Sequence, residues 1–237
     1  MSRSSIAIQL TNVSKKYIIH HEKPTLVEAL LRPRKETFWA LQNITITIRP
    51  GEKIGIIGPN GSGKTTLLKI IAGITTPTDG TVHSHGRVVS LIDLEAGFHP
   101  DLTGVQNILL NGMLLGMNRH EIAALTPDII RFADIHGFID APLFTYSQGM
   151  KLRLGFSIAI HSNPDILLLD ENIGVGDENF QKKSTDRLMQ FHKSGRTILM
   201  ASHWMHFFQR ECSRLLHMQN GNIIKITRPK HIPVPRL

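Results

Sequence analysis

Glycines, a lysine and a threonine lie close together after a short apolar run, and their spacing is that of a phosphate-binding loop. Gly58 is followed by four residues and then by Gly63, Lys64 and Thr65, which fits the pattern G-x-x-x-x-G-K-[ST]. Backbone N–H groups and the following helix start carry partial positive charge and attract phosphate oxygens. The pattern predicts that Lys64 binds the β- and γ-phosphates and that the Thr65 hydroxyl binds Mg²⁺. The predicted nucleotide-binding residues of this loop are Gly58, Pro59, Asn60, Gly61, Ser62, Gly63, Lys64, Thr65 and Thr66.

A pair of acidic residues follows another apolar run later in the chain. Residues 164–171 read PDILLLDE, and the continuous apolar stretch predicts a central strand of a parallel sheet that is covered on both faces. Ligands of such sheets bind at the carboxyl ends of the strands. Asp170 is therefore predicted to hold Mg²⁺, and Glu171 to orient and deprotonate an attacking water molecule.

The phosphate loop and the acidic pair must be positioned by strands and helices. Apolar residues over 54–57 predict a short buried strand before the phosphate loop, and the apolar spacing after the loop predicts a helix over 65–72. A third segment, residues 144–160, reads FTYSQGMKLRLGFSIAI, in which a serine and a glycine precede an amphipathic helix. Because the start of a helix attracts anions, this segment is a second predicted phosphate-binding helix start.

The beginning of this third segment resembles the signature motif of ATP-binding cassette (ABC) ATPases, LSGGQ with an arginine further on. Ser147 and Gly149 match the motif, and Arg153 lies at the expected spacing. Gln148 replaces a glycine, and Met150 replaces the glutamine. The resemblance implies that this motif contacts the nucleotide bound to a second subunit.

The remaining motifs of that family follow in order along the chain. GVGDENF places Asp177 at the D-loop aspartate, and TILMASH places His203 at the switch histidine that contacts the γ-phosphate. TNVSKKY places Tyr17 at the aromatic residue that stacks on adenine, although Trp39 in TFWAL competes for this role. The resemblance thus implies an ATPase site to which Glu171 and His203 contribute the catalytic groups.

The resemblance also implies the architecture. We expect an α/β fold: a phosphate-loop ABC ATPase domain with a mostly parallel core sheet, an antiparallel β subdomain and an inserted helical subdomain. The ATPase domain is expected over 5–226, with the helical subdomain at about 96–160, and a short basic, proline-rich tail over 227–237.

Cofactors and partners follow from the same resemblance. ATP and Mg²⁺ are the implied cofactors, and the single set of motifs implies a homodimer in which Lys64 of one chain faces Ser147 and Gly149 of the other. No apolar run approaches the ~18 residues of a spanning helix. We therefore expect a separate membrane-spanning permease subunit, with this chain peripheral on the cytoplasmic face of the inner membrane.

Several variant motifs resemble one subgroup, the exporters of lipid-linked polysaccharides such as O-antigen, capsule and teichoic acid. These variants are YSQGM, DENIGVGDENFQKKS and LEAGFHPDLTGVQNI. The resemblance implies a lipid-linked, O-antigen-like glycan as cargo. An ABC transporter subunit for a different cargo remains an alternative.

The charge of the chain permits another alternative. The net charge is +8 and the isoelectric point is near 9.8, which would suit a soluble ABC ATPase that acts on nucleic acid. Such proteins usually carry two cassettes or a long coiled coil, and this sequence has neither. Nucleic acid is therefore not an expected partner.

Two segments depart from the family pattern. The glutamine that ligates Mg²⁺ in the family has no clear match; Glu95 is the nearest oxygen ligand, and a one-residue shift would put Leu94 there. A long gap separates Tyr17 from Gly58, and within it residues 24–33 have the punctuation and apolar spacing of a short helix. We expect this helix to dock either on its own domain or at the membrane side.

Overall fold

The computed structural model describes residues 6–19, 36–170, 177–201 and 212–229. The expected helix at 24–33, the predicted catalytic residues Glu171 and His203, and most of the tail at 227–237 lie outside these ranges.

The described residues contain nine strands and five α-helices. The strands are β1 (Ile8–Ile19), β2 (Glu36–Ile48), β3 (Lys53–Ile57), β4 (Asp79–Ser84), β5 (Val88–Ser90), β6 (Ile166–Leu169), β7 (Thr197–Ala201), β8 (Arg214–Gln219) and β9 (Asn222–Thr227). The α-helices are α1 (Lys64–Ile71), α2 (Gly104–Leu114), α3 (Arg119–Ala133), α4 (Gln148–His161) and α5 (Glu178–Lys193).

The central sheet has six strands in the order β5-β6-β7-β3-β8-β9. Its neighbours pair in parallel except β8 and β9, which are antiparallel. Every residue of β6 and β7 is buried, as expected for strands that are covered on both faces. The continuous apolar run before Asp170 therefore forms a central strand, as predicted.

A second sheet is antiparallel, with the order β2-β1-β4. β1 and β2 pair from Ile8 with Ile48 to Ile19 with Glu36, so they form one long ribbon. Its buried aliphatic residues belong to the same hydrophobic core as β3 and α1. With the mixed central sheet and the helices, this arrangement confirms the predicted α/β fold.

Helices α2, α3 and α4 lie between β5 and β6 in the chain and share a hydrophobic core of their own. α2 and α3 both begin with a capping box, formed by Thr103 with Gln106 and by Asn118 with Glu121. In each box two backbone N–H groups at the helix start gain acceptors, which defines where the helix begins. Within the described part of the chain, no helix is long and apolar enough to cross a membrane.

Candidate nucleotide-binding site

The phosphate loop joins β3 to α1, and neighbouring backbone explains two of its glycines. A Cβ atom on Gly58 would lie 2.2 Å from the Met218 carbonyl oxygen of β8. On Gly63, whose φ is +101°, it would lie 2.4 Å from the Ala40 carbonyl oxygen of β2. At these two positions the neighbouring strands leave no room for a side chain, so the backbone there remains bare for a ligand.

Lys64 is the first residue of α1 and its side chain turns back over the loop. The residue is only 7% exposed, and its Nζ donates hydrogen bonds to the carbonyl oxygens of Gly58 at 2.9 Å and Pro59 at 3.2 Å. These contacts hold a positive charge directly over the loop whose N–H groups attract anions. That Lys64 binds the β- and γ-phosphates stays a prediction.

A pocket of about 270 Å³ opens at this loop. Most of the predicted loop residues line it, together with two residues of β2. The lining residues are Phe38, Ala40, Asn60, Gly61, Ser62, Gly63, Lys64, Thr65 and Thr66. The Ser62 hydroxyl is buried and has no hydrogen-bond partner among the described residues. Donors, a cation and hydroxyl groups thus converge on one cavity.

Asp170 lies at the same edge of the central sheet as the phosphate loop. Gly55 of β3 and Leu169 of β6 both pair with Met200 of β7, so Asp170 is level with Ile56. Strands β3 and β6 are two strand spacings apart, about 10 Å. Asp170 is 9% exposed. It lies at the edge of the sheet where the parallel strands end, which is where the sequence predicts the Mg²⁺ ligand.

An aromatic residue that was not among the predicted site residues lies at the pocket. Phe38 lines the pocket, whereas Tyr17 and Trp39 do not. In the β1–β2 ribbon, Phe38 is paired with Tyr17 and therefore shares its face, while Trp39 is paired with Lys16 on the other face. The Lys16 ammonium lies 5.4 Å from the Trp39 ring centroid. Phe38 and Ala40 are two residues apart and therefore lie on the same face of β2, but the sequence carries no signal that this face meets the phosphate loop.

The signature segment begins α4. Ser147 is its N-cap, and its hydroxyl accepts a hydrogen bond from the Met150 N–H at 3.3 Å. The preceding Tyr146 is buried, and its hydroxyl donates to the Phe138 carbonyl oxygen at 2.6 Å. Burial, and to a lesser extent the charge of Asp140, raises the pKa of Tyr146. A fixed tyrosine thus anchors an exposed helix start.

Gln148, the first residue of α4, has its partner in the segment that follows β5. Its side-chain amide donates a hydrogen bond to the Glu95 carboxylate. The predicted Mg²⁺ ligand therefore contacts the signature motif of its own chain. That Glu95 ligates the metal stays a prediction.

Asp177 connects the signature helix with α5. It is the N-cap of α5, and its Oδ1 accepts a hydrogen bond from the Phe180 N–H at 2.9 Å. Its other carboxylate oxygen lies 3.7 Å from Nη1 of Arg153, which also lies 4.0 Å from a carboxylate oxygen of Asp134, the C-cap of α3. Arg153 therefore joins the signature helix to the predicted D-loop aspartate.

Comparison with known proteins identifies the family of the chain. The family model described as ABC transporter matches residues 41–174. The O-antigen export system ATP-binding protein RfbB of Klebsiella pneumoniae is 40% identical over 95% of both chains. The protein of the same name from Myxococcus xanthus is 47% identical over 81% of this chain and 44% of its own length. The chain belongs to the ABC transporter family.

Further similarities concern a second kind of relative and the fold. The teichoic acids export ATP-binding protein TagH of Lactiplantibacillus plantarum is 41% identical over 94% of this chain, which spans 62% of that relative. The chain thus covers less than two thirds of the length of the Myxococcus and Lactiplantibacillus relatives. An ATP-binding cassette solved as a dimer with ADP and phosphate has a TM-score of 0.70, covers 94% of this chain and 99% of its own, and is 22% identical. That similarity concerns the fold.

Proposed function

We propose that this chain is the ATP-hydrolysing subunit of an ABC transporter that exports a lipid-linked, O-antigen-like polysaccharide across the inner membrane. The observation that carries the proposal is the phosphate loop, in which Lys64 lies over a bare backbone and lines a pocket with most of the other predicted loop residues. Relatives named for O-antigen and teichoic acid export support the choice of cargo.

Some of the site residues bind the metal and others act in hydrolysis. Thr65 and Asp170 offer the oxygen ligands that Mg²⁺ prefers, and phosphate oxygens and water complete such a coordination shell. The metal would neutralise phosphate charge as the terminal bond breaks. Glu171 takes the proton of the attacking water, and His203 donates to the γ-phosphate. Both follow strands, β6 and β7, that end at the carboxyl edge of the sheet.

The site is completed by a second copy of the chain. The four signature residues, Ser147 to Met150, lie at an exposed or half-exposed helix start, where they can meet a nucleotide held on the loop of the partner. ATP then joins the two subunits because contacts from both chains exist only in the closed dimer, and hydrolysis removes them.

Residues 5–226 form the nucleotide-binding domain in this proposal, with the helical subdomain at about 96–160. Within that subdomain, α2 carries an exposed apolar stripe of Val105, Leu109 and Met113, each four residues from the next. These residues are 37–41% exposed. Such a stripe suits contact with the membrane-spanning permease subunit, which holds the chain at the cytoplasmic face.

Leu109→Glu combined with Met113→Glu is expected to remove the chain from the membrane fraction of cells that produce its permease, because buried carboxylates would oppose docking. Surface polysaccharide should fall in parallel. Ile224→Glu, at an exposed position of β9, is the control and should change neither the membrane association nor the amount of surface polysaccharide.

The cargo is tested in the reconstituted transporter. Lipid-linked glycan should stimulate ATP hydrolysis, and the lipid carrier alone should not. Equal stimulation by the carrier would contradict the assigned cargo.

Phe38 is proposed to stack on the adenine, with Tyr17 beside it on the same face of the ribbon. Phe38→Ala should weaken ATP binding about five-fold or more, as expected for loss of one base–aromatic contact. Trp39→Ala removes another exposed aromatic residue, from the opposite face, and should leave affinity unchanged. A titration with fluorescent ATP measures both variants. A larger loss in Trp39→Ala would place the base on the other face.

A further inference from the structure

The contact between Glu95 and Gln148 joins two segments that are 53 residues apart in the chain. Glu95 is half-buried in the segment after β5, and Gln148 is the exposed first residue of α4. The carboxylate therefore lies beside the helix start that the dimer would present to the partner's nucleotide.

Packing holds Glu95 in this place. A Cβ atom on Gly155 would lie 2.2 Å from the Leu94 carbonyl oxygen, so the backbone before Glu95 packs directly on α4. Gly155 and Gln148 are seven residues apart, or about two helical turns, and thus lie on the same face of α4. From α2, the Asn111 side chain donates to the Ala96 carbonyl oxygen at 3.0 Å. The backbone on both sides of Glu95 is anchored.

We propose that Glu95 and Gln148 form a latch that restrains dimer closure. The Gln148 amide is held by Glu95 in the open subunit and is transferred to the γ-phosphate of the partner's ATP when the dimer closes. This inference rests on the proposed function, because it assumes that the signature segment meets a nucleotide in a second copy of the chain.

The physical basis is competition between two anions for one helix start. The positive end of the α4 dipole and the Gln148 amide stabilise a nearby carboxylate. An incoming γ-phosphate needs the same groups and is repelled by the carboxylate that already occupies them. Closure must therefore break the Glu95 contact. Since the signature motif of the family has glycine where this chain has Gln148, the latch is a property of this variant motif.

The latch is tested by measuring dimer formation at saturating MgATP. All variants also carry Glu171→Gln, which slows hydrolysis. Analytical ultracentrifugation gives the dimer dissociation constant. Glu95→Gln keeps the size of the side chain and removes its charge, so it should tighten the dimer about two- to five-fold. Asp93→Asn is the matched control, because it removes the same charge from an exposed position in the same segment and should have no effect.

The gain should also depend on Gln148. In a Gln148→Gly background the carboxylate is no longer held at the helix start, and Glu95→Gln should then change association less. An equal gain in both backgrounds, or in Asp93→Asn, would overturn the latch. A Mg²⁺-dependent loss of nucleotide affinity in Glu95→Gln would assign the carboxylate to the metal and would also overturn it. If the Glu171→Gln chain does not dimerise in the presence of ATP, the proposed dimer is wrong. If it dimerises and Glu95→Gln has no effect, the latch is wrong and the dimer stands.

Discussion

Glu171→Gln is expected to lower ATP turnover by about 100- to 10,000-fold, the range that a positioned general base contributes. The amide cannot accept the proton of the attacking water, whereas ATP and Mg²⁺ contact other residues. Nucleotide binding should therefore persist. Because hydrolysis is what separates the subunits, the variant should also accumulate as an ATP-bound dimer, visible as a shift in size-exclusion chromatography.

A nearby carboxylate supplies the control for this experiment. Glu178 lies in the first turn of α5 and is exposed, so Glu178→Gln removes an equal charge without touching the predicted site. Turnover in Glu178→Gln should equal that of the unmodified chain. Normal turnover in Glu171→Gln would assign the base to another residue and would remove the mechanism proposed for the end of β6.

Lys64→Ala is expected to weaken ATP binding by about 10- to 100-fold, because hydrogen bonds to charged groups contribute roughly 1.5–3 kcal/mol. Lys64 is only 7% exposed and its ammonium already lies over the loop, so little ordering is needed when phosphate arrives. Fluorescent-nucleotide titration of the monomer measures the loss. Lys69→Ala, in the last turn of the same helix, should retain full affinity.

Ser147→Ala distinguishes ATP binding to one chain from ATP hydrolysis between two chains. The serine lies at the start of α4, not at the phosphate loop, so monomer binding should be normal while hydrolysis through the dimer is impaired. Thermal unfolding records the loss of the N-cap, which typically costs ~1 kcal/mol. If Lys64→Ala and Ser147→Ala weaken monomer binding equally, the signature segment does not act on the nucleotide of a second subunit.

The spacing of residues close together in the sequence was enough to predict several elements of this protein. The glycines at 58 and 63 predicted a bare loop between a strand and a helix, and the structure has that loop between β3 and α1. The apolar run before Asp170 predicted a central strand, which is β6. Both predictions succeed because backbone conformation and strand burial depend mainly on residues that are close in sequence.

The tertiary structure decided which distant residues meet. Phe38 reaches the pocket because the β1–β2 ribbon packs its Ala40 backbone against Gly63, and no pattern around residue 38 contains that contact. Glu95 meets Gln148 only because the Leu94 backbone packs on Gly155 of α4. The sequence by itself therefore determined the loop, the strands and the order of the motifs. The aromatic residue at the nucleotide pocket and the partner of Glu95 were decided by packing between elements, since contacts between segments far apart in the chain leave no periodic trace within either one.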